Sequence, residues 1–160
     1  HVLLDLELHT TPRLPPIVLA PPPLASAPWL DLACQGGSFT VNEPHDPVMQ
    51  KKRMLDMAAV YLGAAAPTDP AASPLLAPPA AFAGLPPTLV HVGDTEVLLD
   101  DSRLLEEVAL SVGVQLEVKQ WSKVLHAWHG FYPMMPQAEQ ALRELTVFLQ
   151  KHFSKAEPDA

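Results

Sequence analysis

A carboxylate and an imidazole, on Glu96 and His126, are the side chains of this sequence best suited to acid–base chemistry. A carboxylate that accepts a hydrogen bond from one imidazole nitrogen selects the tautomer of the ring and stabilises its protonated form. The other ring nitrogen then serves as a general base. The pair indicates nucleophilic catalysis, provided that the fold brings the two side chains together.

Each of these residues follows a segment with the pattern of a β-strand. Thr88 to Val92 is a β-branched run that ends at Gly93, shortly before Glu96. Ahead of His126, the segment from Val114 to Val118 alternates apolar and polar residues, which is the pattern of a strand with one face more exposed to solvent.

A helix is predicted between the two strands. Apolar residues recur at helical spacing from Ser102 to Ser111, and Gly113 lies just past the end of that pattern. A strand–helix–strand crossover makes the two strands parallel, so that both strands end at the same edge of the sheet. We therefore predict that a carboxylate oxygen of Glu96 lies within hydrogen-bonding distance of a ring nitrogen of His126.

Neighbouring titratable residues offer alternatives for both roles. Asp94 and Asp100 are rival acids, although their positions are typical of a turn residue and of a negative charge at a helix N-terminus. His129 is the rival base. His126 and His129 have no cysteine or third spaced ligand beside them, so we predict no metal site and no cofactor.

Large apolar side chains follow His126 closely. We interpret Trp128 and Phe131, which Met134 and Met135 follow, as the lining of a pocket for the acyl group of a substrate. The alternative interpretation is that this cluster is core.

Two blocks of sequence resemble the C-terminal part of the hormone-sensitive-lipase-type carboxylesterases, a branch of the α/β-hydrolases. The blocks are LPPTLVHVGDTEVLLDDS, from Leu85 to Ser102, and VLHAWHGF, from Val124 to Phe131, and the resemblance extends to APWLDL, DPAASPLL and the C-terminal MMPQAEQALRELTVFLQKHF. It implies an α/β fold in which parallel strands alternate with helices, as in part of an α/β-hydrolase. It also implies that Glu96 is the acid and His126 the histidine of a catalytic triad, with a small-molecule ester as substrate.

The serine of such a triad is missing from the sequence. α/β-Hydrolases carry it in a Gly-x-Ser-x-Gly elbow, together with a glycine-rich oxyanion loop. The nearest pattern runs from Gly36 to Thr40 and lacks the final glycine, while Cys34 has nothing that places it beside His126. The resemblance places the elbow just ahead of His1. We therefore expect residues 1–160 to form a single, N-terminally truncated hydrolase domain, the C-terminal half, with 156–160 as a frayed tail and no activity on its own.

The flanking segments carry further predictions. LPPIVLA, residues 14–20, is predicted as a strand, and Pro21 to Pro28 as an insertion between that strand and Trp29. A helix is predicted from Asp46, as N-cap, to Leu62, with Gly63 closing it. Its predicted apolar face comprises Leu55, Ala58, Ala59 and Leu62. Residues 63–87 are predicted to be an irregular crossover. The last helix is predicted from Pro136, with a buried stripe of Ala138, Ala141, Leu142, Leu145, Phe148, Leu149 and Phe153.

Composition limits the partners of the chain. Its 160 residues are 48% hydrophobic and carry a net charge of −8, which disfavours binding to nucleic acid and to anionic membranes. A single cysteine excludes an internal disulfide, and no stretch has the length of a membrane span. If part of a parallel sheet is absent, an unpaired strand edge favours self-association.

The sequence leaves two other functional classes open. A hydrolase-like scaffold that binds without catalysis is the main alternative, and the missing elbow favours it. A redox or phosphate-binding domain is disfavoured because the sequence has no CxxC motif and no glycine-rich phosphate loop.

Overall fold

A parallel sheet of three strands forms the centre of the computed structural model, which describes residues 24–153. The strands are β1 (Leu24–Ser26), β2 (Thr88–Gly93) and β3 (Leu116–Trp121), in the spatial order β1-β2-β3. Leu24 pairs with Leu89 and Thr88 pairs with Leu116. The strand predicted at 14–20 and the tail at 156–160 lie outside the described residues.

The middle strand, β2, is buried along its whole length. Its apolar, β-branched residues suit a strand that is covered on both faces, because a parallel sheet normally has helices on each side. Successive side chains of a strand point to opposite faces. Val90 therefore joins the core on one face of the sheet, whereas His91 lies on the other.

One helix covers each face of β2. Helix α3 (Leu99–Ser111) packs Leu105 and Ala109 against Val90 and Leu116, and it ends before Gly113, whose φ of 77° few other residues adopt readily. On the opposite face, α4 (Pro136–Phe153) packs against β2 and against the 3₁₀ turn Trp128–Phe131. The result is a helix–sheet–helix arrangement, as the predicted α/β class requires.

The connection from β1 to β2 is long and mostly irregular. It contains the short helix α1 (Ser38–Val41), the helix α2 (Lys51–Leu62) and 3₁₀ turns at Pro74–Leu76 and Pro79–Phe82. Residues 63–87 thus contain only short helical turns.

The start and the face of α2 differ from the prediction. The helix begins at Lys51, because the carboxylate of Asp46 accepts the N–H groups of Val48 and Met49 in a turn and does not cap the helix. Met54 and Ala58 form its buried side, whereas Leu55 and Ala59 are exposed and Leu62 is half-buried. The buried stripe is therefore rotated from the predicted one.

The predicted insertion at Pro21 to Pro28 is also wrong in part. Its residues Leu24–Ser26 form β1 and pair with β2, so they belong to the sheet. In α4, Ala138 and Ala141 are buried as predicted, while Leu142, Leu145, Phe148 and Leu149 are half-buried. Within residues 24–153, no helix combines the length and apolarity that crossing a membrane requires.

Candidate active site

Glu96 lies in the turn that follows β2, and both of its carboxylate oxygens have partners. One oxygen, Oε1, accepts the backbone N–H of Gly93 at 2.6 Å, and the other, Oε2, lies 2.7 Å from Nδ1 of His126. The residue is only 1% exposed. A side chain at Gly93 would come within 3.0 Å of Oε1, so the absence of a Cβ there allows the carboxylate to fold back onto its own turn.

His126 lies in the loop between β3 and the turn Trp128–Phe131. Ala127, the residue after it, has a φ of 56°, in the left-handed region that L-residues rarely adopt. Upstream, Val124 is buried and packs in one core cluster with Trp128. The loop therefore holds the backbone of His126 in a defined shape, and the histidine side chain keeps 17% of its surface exposed.

The bond to Glu96 raises the pKa of His126 above its usual range, and it outweighs the opposite effect of burial. The charges of Glu96 and Asp46 raise this pKa further. Because Nδ1 holds the proton that Glu96 accepts, Nε2 is the nitrogen that can accept a proton from a substrate or a nucleophile. The arrangement is that of a carboxylate that orients a general base.

The rival acids are bound elsewhere. Asp94 accepts the hydroxyl of Ser122 at 2.6 Å, and Asp100 accepts the backbone N–H of Ser38 at 2.8 Å. The rival base, His129, contacts His91 at 3.0 Å. Among the candidates singled out from the sequence, the structure brings only Glu96 and His126 together as an acid and a base.

Two residues that hold the turn of Glu96 were not identified from the sequence. The side-chain amide of Asn42 donates to the backbone oxygens of Asp94 and Glu96, at 3.2 and 2.8 Å. The buried carboxylate of Asp46 accepts the N–H of Val97 at 3.0 Å. Both residues are far from Glu96 in the sequence, and neither stands in a local pattern that predicts the contact.

Ser38 and Cys34, the two alternative nucleophiles, are both buried. The hydroxyl of Ser38 donates to the backbone oxygen of Val97 and accepts the N–H of Asp100. Cys34 is fully buried, and burial raises the pKa of its thiol to about 11, which suppresses the reactive thiolate.

The aromatic residues after His126 occupy different environments. Trp128 is fully buried and stacks on His129, with a ring distance of 4.3 Å, which is the environment of a core residue, and its role in a substrate pocket stays a prediction. Phe131 is 42% exposed, and its role in a pocket stays a prediction. Within the described part of the chain, no group of three or more His, Cys, Asp or Glu side chains is placed to hold a metal ion.

Comparisons with known proteins identify relatives along most of the chain. A family model described as alpha/beta hydrolase fold matches residues 5–130. The chain is 36% identical to an acetyl-hydrolase of Streptomyces hygroscopicus over 124 residues, which are 78% of this chain and 40% of that protein. It is 34% identical to an esterase of Acinetobacter venetianus over 146 residues, 91% of this chain and 46% of that protein.

Solved structures agree with these sequence matches. An esterase from the bacterial hormone-sensitive lipase family superposes with a TM-score of 0.76 and 41% identity, over 81% of this chain and 42% of that one. The protein EstE5, in a crystal soaked with p-nitrophenyl butyrate, gives a TM-score of 0.75 and 38% identity, over 82% of this chain and 43% of that one.

This chain thus spans less than half the length of the relatives described here. The fold class and the family expected from the sequence are both confirmed. The match to the family model and the identity to solved esterases lead to one assignment: the chain belongs to the α/β-hydrolase fold family, in its hormone-sensitive-lipase branch.

Proposed function

We propose that this chain supplies the acid and the base of a serine carboxylesterase, with Glu96 as the acid and His126 as the base. The observation that carries the proposal is the 2.7 Å contact between Glu96 Oε2 and His126 Nδ1 in a buried turn. The raised pKa of His126 supports it, because a base in this role must hold a proton once it has taken one. The named activities of the esterase and acetyl-hydrolase relatives support the ester class of substrate.

The proposed reaction uses a serine from outside these 160 residues, since the sequence holds no Gly-x-Ser-x-Gly elbow. The serine oxygen attacks the ester carbonyl carbon as its proton passes to Nε2 of His126. When the tetrahedral intermediate collapses, the bond to the alcohol breaks, and the departing alcohol takes that proton. Water then attacks the carbonyl carbon of the acyl-serine as its proton passes to Nε2 of His126. The bond between the serine oxygen and the acyl carbon breaks, the serine oxygen takes that proton, and the carboxylic acid leaves. Throughout, the carboxylate of Glu96 stabilises the imidazolium.

Activity measurements test this proposal. The chain alone is expected neither to hydrolyse short p-nitrophenyl esters nor to react with a fluorophosphonate. Fused to an N-terminal half of a family member that carries the glycine-rich loop and the serine elbow, it is expected to gain esterase activity. His126→Ala or Glu96→Ala should then reduce kcat by about 10³-fold or more, because triad members act as a unit.

Glu117→Ala is the matched control for the fusion, because Glu117 is an exposed carboxylate on β3. An inactive but folded fusion would favour the non-catalytic scaffold. Fluorophosphonate labelling of the isolated chain that disappears in Ser38→Ala would replace this proposal with a site at Ser38.

We also propose that the chain self-associates through the outer edge of β1. In the described part of the chain, β1 pairs with β2 alone, and its first residue, Leu24, is 36% exposed. An unpaired strand edge with apolar side chains pairs readily with another strand.

A further inference from the structure

A second pair of histidines, His91 and His129, lies beside the proposed acid–base pair and takes no part in the proposed chemistry. His91 Nδ1 and His129 Nε2 are 3.0 Å apart, and the two ring planes are nearly parallel, at 16°. This geometry allows a hydrogen bond in the plane of both rings. His91 is fully buried on β2, where an unpaired polar ring would be costly.

The contacts at the outer ends of the pair define the direction of this hydrogen bond. His91 Nε2 faces the carboxylate of Glu144 at 3.8 Å, and Lys119 binds the same carboxylate at 2.9 Å. A carboxylate favours a proton on the nitrogen that faces it, so His91 carries its proton on Nε2 and accepts at Nδ1. His129 then donates from Nε2 and accepts at Nδ1, where the hydroxyl of Ser26 lies 3.4 Å away.

Both rings are neutral in this arrangement. Burial lowers the pKa of His91 to about 4, and burial likewise lowers the pKa of His129. A neutral imidazole has one donor and one acceptor. Both are used on His129, whereas on His91 the acceptor is used and the N–H of Nε2 faces Glu144 at 3.8 Å without a hydrogen bond. The pair therefore links β1, the loop of His126, β2 and α4 in one line of polar contacts.

The position of the pair relates it to His126. His129 lies three residues after His126, and between them Ala127 has the strained φ of 56°. A loop held in a sparsely populated conformation needs contacts that hold it there. Upstream of His126, Ser122 donates to Asp94; downstream, His129 binds His91. Both contacts end on β2 or on the turn that follows it, the same segment that carries Glu96.

We propose that His91 and His129 are positioning residues, whose ring-to-ring hydrogen bond fixes the loop after β3 to β2 and so holds His126 Nδ1 against Glu96. This proposal rests on the proposed function, because positioning matters only if Glu96 and His126 act together. Neither ring needs to touch the substrate.

NMR of the histidine rings in the full 160-residue chain tests the proposal. In the wild type, His126 is expected to show a slowly exchanging Nδ1 proton and a raised pKa. His129→Met has a similar volume but no donor, so the Nδ1 proton of His126 should exchange about tenfold faster or more, and the pKa should fall. His129→Gln keeps an N–H near the position of Nε2 and should restore both signals.

A second pair of variants tests the other end of the bond. His91→Asn keeps an acceptor near the position of Nδ1, whereas His91→Leu has none. We therefore expect faster exchange and a lower pKa of His126 in His91→Leu than in His91→Asn. If one of the two apolar variants fails to fold, the other still gives the test. His45→Gln, an exposed histidine, is the control. If His126 has the same proton exchange and pKa in the apolar variants as in the wild type, the positioning role is refuted and the acid–base pair stands. If the wild type itself lacks both signals, the acid–base pair is refuted, and the positioning role falls with it.

Discussion

The two oxygens of Glu96 do different work. One holds the carboxylate on the N–H of Gly93, and the other accepts from His126. Because the first bond is made within the same turn, the orientation of the carboxylate does not depend on His126 alone. Since Glu96 is almost fully buried, its charge acts on His126 with little screening by water.

Removing that charge should change the titration of His126. In the folded protein its pKa lies above 6.5, so the pair contributes stability that is fully present below pH 6.5 and is lost as the pH rises through the folded pKa. In Glu96→Gln we expect the pKa of His126 to fall, since burial then acts without the carboxylate. An NMR titration of the ring measures it, with the exposed Glu117→Gln as control. An unchanged pKa would show that Glu96 does not govern His126.

A methyl group at position 93 should disturb the same carboxylate. The Cβ of Gly93→Ala would lie 3.0 Å from Glu96 Oε1 and 3.2 Å from Val124 Cγ2, so both neighbours must shift. We expect a loss of about 1–3 kcal/mol in the free energy of unfolding and a partial fall in the pKa of His126.

Urea denaturation and the same NMR titration measure these two effects. Gly130→Ala, in the same loop region as His126 but with no atom within 4 Å of the added Cβ, is the matched control. Wild-type values for both quantities in Gly93→Ala would mean that the turn has more room than its contacts indicate.

At the scale of elements, the first turn of α3 organises the loop that follows β1. Asp101 accepts the backbone N–H groups of Leu30 and Asp31, at 2.8 and 3.0 Å, and Asp100 accepts that of Ser38. These bonds join segments that are far apart in sequence. Burial raises the pKa of Asp101 to about 6, against the lowering effect of the two N–H bonds. The stability that these contacts contribute therefore depends on pH.

Neutralising Asp101 should remove that dependence. Its folded pKa exceeds the ordinary value of 3.8, so its contribution to stability is greatest below about pH 4 and is lost as the pH rises through about 6. Asp101→Asn keeps an oxygen acceptor without a charge. We expect it to exceed the wild type in stability by on the order of 2 kcal/mol at pH 8 and to match it near pH 4.

Urea unfolding at several pH values measures this difference, in which the contributions of the histidines cancel. Asp69→Asn serves as the control, because Asp69 also accepts a backbone N–H but is exposed. A stability difference that stays constant from pH 4 to pH 8 would contradict the assigned pKa.

Local sequence patterns correctly predicted the helices and strands that are specified by residues within the element itself. The run from Thr88, the helix before Gly113 and the helix from Pro136 all appear in the structure, because strand, helix and cap preferences act over a few residues. The prediction of Asp46 as N-cap was wrong because an Asp that accepts N–H groups two and three residues later occurs both in turns and at helix starts. Here the N–H groups of Val48 and Met49 belong to a turn. The contacts of Asn42 with Glu96 and of His91 with His129 depend on tertiary packing, which no local pattern encodes.

At the scale of the whole molecule, the described sheet has only three strands, with β2 as its covered centre. The sequence relatives are more than twice as long as the matched part of this chain, and solved structures of the same fold superpose on it with TM-scores of 0.75 and 0.76. Glu96 and His126 thus lie on a unit with its own core clusters on both sides of β2.

A charge at the strand edge should reduce the proposed self-association. Leu24→Lys places a lysine on β1, where strand edges are commonly protected by such residues. We expect its weight-average mass in sedimentation equilibrium to approach that of the monomer, while the wild type is larger and varies with concentration.

Val60→Lys makes the same charge change on α2, where Val60 is 86% exposed. It should leave the association unchanged. Dissociation by Val60→Lys and not by Leu24→Lys would move the interface from the strand edge to α2. A wild-type chain that is monomeric at all concentrations would exclude both.

The aromatic cluster around His91 has an optical consequence. Trp121 and Trp128 lie 5.8 Å apart by ring centroids, and Trp128 stacks on both His91 and His129. An excited indole loses its energy efficiently to a protonated imidazole in contact with it. These two tryptophans therefore form a native fluorophore whose brightness follows the charge state of the neighbouring histidines. In Trp29→Phe, which removes the third indole, the emission of the unlabelled chain would come from this cluster alone and would fall when acid protonates these histidines.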